Sequence, residues 1–207
     1  LIALRASVRF MRKLTCAITG ANGFIGSHLV NIFRARHCHV IEMTRAKNFD
    51  LSKTQPDLNG VDVLIHAAYD LKIIDHHANQ KINYDGSVNL LRHAKKCGVK
   101  KIIFISSMSA FEGARSMYGR TKLAVESVVA EMGGIIVRPG LVFDEKPRGI
   151  VGAMSKFIQH SKIVPLIGNG QQIFYPCHVQ DLVALLFYLA NTTENNTKPI
   201  TAAANHA

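Results

Sequence analysis

A doubly wound parallel α/β sheet is the fold this sequence predicts, and three observations predict it. An apolar run, Leu14-Thr15-Cys16-Ala17-Ile18, enters a glycine-punctuated turn that opens into apolar residues at helical spacing. Short apolar runs then alternate with longer segments of helical periodicity, the pattern of strands covered on both faces by helices and joined with one hand. The 207 residues are 48% hydrophobic, enough for one sizeable core and unlike a disordered or fibrous chain. One domain over 13–207 is expected, after an N-terminal extension at 1–12 in which Met11 reads as a natural start.

The turn is Thr19-Gly20-Ala21-Asn22-Gly23-Phe24-Ile25-Gly26, followed by Ser27-His28-Leu29-Val30. A strand that turns directly into a helix aims backbone N–H groups and the positive end of the helix at one point, which suits a diphosphate. Gly20 permits the tight turn, Gly23 lets a ligand approach the backbone, and Gly26 brings helix and strand close. With Asn22, Phe24 and Ile25 these glycines form the expected dinucleotide cradle. The second strand is read at His39–Arg45, and its end is where the adenosine ribose is recognised. An acid there holds the 2′-hydroxyl, whereas an arginine accepts a 2′-phosphate. Thr44 followed by Arg45 favours NADP; NAD is the alternative if Glu42 fills the ribose position instead. Asp50, beside Leu51, is placed to accept from the adenine amino group, or else caps a turn.

The third strand, Val61–Ala68, ends in Ala67 and Ala68, whose small side chains leave room for the cofactor. Helical spacing follows over Ala78–Lys96, closed by Cys97-Gly98. Lys101–Ile105 is the fourth strand, and Ser106-Ser107 closes it. Tyr118 and Lys122 stand four apart at the head of a helical run that continues from Leu123 to Glu131, so they share a face. An ammonium beside the phenol favours phenolate, and such a tyrosine exchanges protons at neutral pH. Ser107, at the neighbouring strand end, can hydrogen-bond the same substrate oxygen. Ile135–Gly140 is a further strand whose Pro139-Gly140 exit turns the chain across the nicotinamide end. Residues Leu141 to Phe174 are richer in glycine, lysine and turn signals. Within them Gly168–Gln172 reads as a turn. A helix is expected over Leu182–Ala190, with His178 structural and Asp181 in its first turn.

On these motifs the chain resembles the extended short-chain dehydrogenase/reductases of the NAD(P)-dependent sugar epimerase/dehydratase group. Thr19-Gly20-x-x-Gly23-x-x-Gly26, Ser106-Ser107, Tyr118-x-x-x-Lys122 and Arg138-Pro139-Gly140 match in order, over about Lys13 to Ala190. The resemblance implies a Rossmann-like fold with a small, incomplete C-terminal substrate part. It also implies hydride transfer on a nucleotide-activated sugar. Tyr118 would be the acid/base, Lys122 would also hold the nicotinamide ribose, Ser107 would orient substrate, and Asn83 would complete a proton relay. It further implies that 141–178 contributes to substrate binding and that subunits pair through helices such as 78–96 and 118–131. Two departures stand out: Tyr118 follows Ser107 by only eleven positions, and Met108-Ser109-Ala110 replaces the Thr-Asp-Glu run of the sugar dehydratases, which disfavours dehydration.

Other classes fit less well. The net charge of +11 comes from scattered lysines and arginines without interleaved aromatics, so a solvated basic surface is expected rather than nucleic-acid binding. Four widely spaced cysteines lack any C-x-x-C pair, as in reduced cytosolic proteins. No apolar run reaches membrane-spanning length, residues 1–10 make a poor signal sequence, and a cytoplasmic protein is expected. His76-His77 has no third ligand at metal spacing. Two competing functions remain open: reduction of a small carbonyl compound, and non-catalytic sensing of the NADP/NADPH ratio.

Overall fold

The computed structural model describes residues 13–145, 152, 157–161, 173–193 and 198–204. The extension read at 1–12 and the turn read at 168–172 lie outside them. Strands β1 (Thr15–Thr19), β2 (His39–Met43), β3 (Val63–His66), β4 (Lys101–Ile105) and β5 (Ile135–Pro139) form the main sheet, with a last strand, β8 (Ile200–Ala202), at its edge. Their order is β2-β1-β3-β4-β5-β8, and every pairing is parallel. A small parallel pair, β6 (Leu141–Phe143) with β7 (Pro176–His178), stands beside it.

Alternation along each strand divides the core. Cys16, Ile18, Val63, Ile65, Ile103, Ile105, Ile135 and Val137 face α1 (Phe24–Ala35) and α5 (Val179–Asn191). Ala17, Leu64, Ile102, Phe104 and Ile136 face α3 (Gly86–Lys96) and α4 (Met117–Glu131). Both faces are buried, which is why the strands read as continuous apolar runs. The β2-to-β3 crossover carries a single 3₁₀ turn, Arg45–Lys47, in place of a helix. Phe49, Leu58 and Val61 fill the space such a helix would occupy.

From β1 the chain runs outward to β2, then returns to β3 on the other side. The direction in which successive strands are added therefore reverses at the β1–β3 pair, which opens a crevice between their carboxyl ends. The helix expected over 78–96 is broken into α2 (His76–Asn79), a π-helical turn (Gln80–Asp85) and α3. Asp75 caps α2 by accepting from the Ala78 N–H at 2.7 Å. The π turn widens the backbone beside the crevice, a placement typical of functional sites.

Candidate active site

Gly20 has φ of +64°, and a Cβ there would lie 3.0 Å from the Ala68 Cα. At Gly26 an added Cβ would stand 2.1 Å from the Gly20 carbonyl oxygen, so helix and turn meet with no space for a side chain. Gly23 is the N-cap residue of α1, which has no side-chain cap and no acid in its first turn. Its leading amides are thus open to an anion. The turn forms one end of a cleft of ≈ 280 Å³.

Eight residues expected to hold a dinucleotide line that cleft: Gly20, Asn22, Gly23, Thr44, Arg45, Leu51, Ala67 and Ala68. Phe24, Ile25 and Gly26 lie in the first helical turn behind it, and Phe24 packs edge-on against His28. Glu42, the competing ribose acid, is outside the lining. Lys47 at 2.9 Å and Arg34 at 2.5 Å hold its carboxylate, and these bonds keep its pKa below the usual range. Asp50 accepts from the Ser52 amide at 2.9 Å and its hydroxyl at 2.7 Å; its carboxylate closes a turn and is not among the lining groups. Arg45 reaches across the mouth to Asp70, 2.8 Å away.

Beneath the cleft runs a buried polar chain. The Ser87 hydroxyl donates to the Asn83 carbonyl at 2.5 Å, so it accepts from His66 Nε2 at 2.8 Å. His66 Nδ1 then accepts from the Thr19 hydroxyl at 2.7 Å, whose oxygen takes the Ala67 and Ala68 N–H groups, each at 3.0 Å. Burial first, and the Lys122 charge second, hold the His66 pKa down at about 3, so the ring is neutral and this tautomer persists. The chain fixes the small-residue loop against the glycine turn.

Ser116 caps α4 by accepting from the Gly119 N–H at 3.0 Å, and this starts the helix at Met117, a residue before Tyr118. A Cβ on Gly119 would lie 2.2 Å from the Ser109 carbonyl, so the loop after β4 closes directly onto α4. That contact brings the Ser107 hydroxyl, which accepts from the Ser109 N–H at 3.1 Å, to the side of the Tyr118 phenol, where it acts to lower the phenol's pKa. The Tyr69 ring stacks edge-on upon Tyr118, with centroids 4.8 Å apart.

Lys122 lies on the Tyr118 side of α4, as the four-residue spacing predicts, and its ammonium donates to the Ile105 carbonyl at 2.7 Å. It also lies 4.6 Å from the Phe104 ring centroid, 5.3 Å from that of Tyr69 and 5.9 Å from that of Tyr118. Burial drives the Lys122 pKa down to about 7 against the opposing pull of Glu126. Burial also raises the Tyr118 pKa, and the neighbouring Ser107 hydroxyl offsets this in part. Desolvation dominates and Tyr69 adds to it, so the phenol is protonated at neutral pH.

Asn83 spends its side chain on structure as well. It accepts from the Asp70 N–H at 2.8 Å and donates to the Asp70 carbonyl and to Asn79 Oδ1. Asn79 in turn donates to Thr121 on α4 at 2.7 Å. Pro139 and Gly140 lie at the carboxyl end of β5, where the Gly140 N–H donates to Ala202 and the Met108 N–H to Pro139. His178 and Asp181 match their expected structural places: the His178 ring caps α5, and Asp181 lies in its first turn. Sequence reasoning missed Tyr69, Asp70, Thr19, His66 and Ser87. Tyr69 and Asp70 directly follow the small pair that ends β3, which is the one signal that marked them.

Fold, glycine turn and crevice together define a dinucleotide-binding protein with a Rossmann-like sheet. The model for the NAD dependent epimerase/dehydratase family matches residues 16–202, and the chain belongs to that family. Among curated relatives, the ceramide reductase of Caulobacter vibrioides is 26% identical over 85% of this chain and 61% of its own length. The chain therefore spans about three fifths of that relative. An NAD-dependent NDP-hexosamine 5,6-dehydratase involved in tunicamycin biosynthesis, TunA, superposes with a TM-score of 0.79 at 19% identity, covering 93% of this chain and 76% of that one. A dTDP-4-dehydrorhamnose reductase from Bacillus anthracis, solved with NADP, gives 0.79 at 22% identity, covering 94% and 75%. Among the described residues no helix is long and apolar enough to cross a membrane, and no cluster of three His, Cys, Asp or Glu forms a metal site.

Proposed function

We propose that the protein interconverts a secondary alcohol and its ketone on a nucleotide-activated sugar, using NADP held in the cleft between the Gly20–Gly26 turn and Arg45. The residues fit that cofactor. Side-chain-free backbone and uncapped helix amides face the pyrophosphate position, and Arg45 rather than Glu42 stands at the ribose position. Bound there, the nicotinamide supplies the hydride donor or acceptor.

The carrying observation is that the end of β4 and the first turn of α4 bring Ser107 and Tyr118 together at the carboxyl edge of the sheet, close enough for the hydroxyl to act on the phenol's pKa. Protonated at neutral pH, Tyr118 donates its proton to a substrate carbonyl oxygen and takes it back in the reverse direction. Ser107 holds that oxygen in place. Lys122 would hold the nicotinamide ribose of the bound cofactor, and as a cation there it would ease proton loss from the phenol. Asn83 positions the Tyr69–Asp70 loop and, through Asn79 and Thr121, links it to α4.

Family neighbours include a dTDP-sugar reductase and an NDP-hexosamine dehydratase, which supports a sugar nucleotide. A specific feature favours a second reading, an apolar alcohol or ketone. Leu71 and Ile74 are 73% and 91% exposed on the loop after β3, and Phe111 is exposed on the loop after β4, all at the sheet edge that carries Tyr118. The ceramide reductase relative agrees with it. Turnover of wild type and Tyr118→Phe with NADPH, on separate panels of sugar nucleotides and long-chain ketones, decides between them. The proposal expects the variant to lose at least about 100-fold in kcat while still binding NADPH. Wild-type turnover by Tyr118→Phe would overturn the assignment.

A further inference from the structure

The Arg45 guanidinium is already engaged. It bridges the cleft mouth to Asp70 Oδ2 at 2.8 Å, from the end of β2 to the loop after β3, and both residues line the cleft. Asp70 is unusually well anchored for a loop residue. Asn83 grips its backbone on both sides, accepting from its N–H at 2.8 Å and donating to its carbonyl at 3.1 Å. The other carboxylate oxygen, Oδ1, accepts from the Lys72 N–H at 3.1 Å. The carboxylate is therefore presented to Arg45 from a fixed backbone, and its side chain is 20% exposed against 69% for Arg45. The more exposed partner is the arginine, and the acid is the one anchored by its neighbours.

On the reading that the cleft binds a dinucleotide, we propose that Asp70 is a cofactor-selecting residue that competes with the 2′-phosphate of NADP for the Arg45 guanidinium. The 2′-hydroxyl of NAD makes no such demand, so Arg45 keeps its bond to Asp70 when NAD binds. NADP must draw the arginine away from the acid, or share it while its dianionic phosphate faces the carboxylate. Asp70 thus narrows the margin by which Arg45 favours NADP. The effect is moderate, because an exposed ion pair contributes little and salt screens it.

Calorimetric titration of NADP⁺ and NAD⁺ into wild type, Asp70→Asn, Asp70→Glu and Arg45→Gln tests this without any turnover. Asparagine keeps the backbone bonds to Asn83 and an acceptor for the Lys72 amide, and removes only the charge. Asp70→Asn is expected to raise the NADP⁺-to-NAD⁺ affinity ratio by roughly three- to tenfold at low salt. Asp70→Glu should restore a ratio near wild type. With Arg45→Gln in place, most of the gain from Asp70→Asn should vanish. A purely structural Asp70 would move both affinities together, and an unchanged ratio in Asp70→Asn overturns the proposal while leaving the dinucleotide reading intact. Failure of wild type to bind either cofactor overturns both.

Discussion

Replacing Lys122 by Met should abolish a pH dependence of stability that the wild type carries. Lys122 is 3% exposed, and its ammonium rests on one backbone carbonyl and three aromatic faces with no carboxylate bonded to it. Its pKa falls from 10.5 in the unfolded chain to about 7 in the fold. Between those values the unfolded state binds more protons than the native one, so stability rises with pH, and below about 7 the burial penalty is complete. From pH 7 to pH 9 the Lys122 contribution to unfolding free energy should rise by about 2 kcal/mol. Urea unfolding of ligand-free wild type and Lys122→Met at pH 6, 7, 8 and 9 measures it, because every other titrating group is common to both. The difference between the two curves should narrow by that amount as pH rises, with the variant more stable at pH 7. Parallel curves would refute the claim that a buried ammonium is held at a cost in this site.

Three further outcomes follow from the same geometry. Gly26→Ala places a Cβ 2.1 Å from the Gly20 carbonyl, where backbone must move; unfolding free energy should fall by about 2–4 kcal/mol, and NADP affinity should be lost by calorimetry. Thr19→Val strips partners from His66 Nδ1 and from two loop amides, and chemical denaturation should show a loss of about 2–4 kcal/mol. Ser107→Ala should reduce kcat by roughly 10- to 100-fold in steady-state assays, with dinucleotide affinity unchanged.

The fold was legible because burial on both faces of the sheet leaves apolar runs at β1, β3, β4 and β5 that glycines and charges delimit. The helix over 78–96 was legible in existence but not in form, since periodicity cannot register a single widened turn at Gln80–Asp85. Strand β8 is three residues long, too short for alternation to show, and it forms only because β5 offers an open edge. In the site, the glycine turn and the Ser107, Tyr118 and Lys122 set were readable from spacing. What spacing could not give is the balance of desolvation against charge: four residues along a helix bring Lys122 near Tyr118, but burial decides both pKa values. Asp70 and Tyr69 escaped because their roles arise from contacts across the chain, to Arg45 and Tyr118, that no local pattern encodes. Asp50 and Glu42 show the converse, acids with plausible local signals whose side chains Ser52, Lys47 and Arg34 had already claimed.

A crystal structure of the protein with NADP⁺ bound tests the central claim most directly. The account predicts the pyrophosphate on the amides of the Gly20–Gly26 turn, the nicotinamide ring against Tyr118, and the Lys122 ammonium moved from Ile105 to the ribose. A dinucleotide lying outside this cleft, or one whose nicotinamide points away from the Tyr118 phenol, would contradict it.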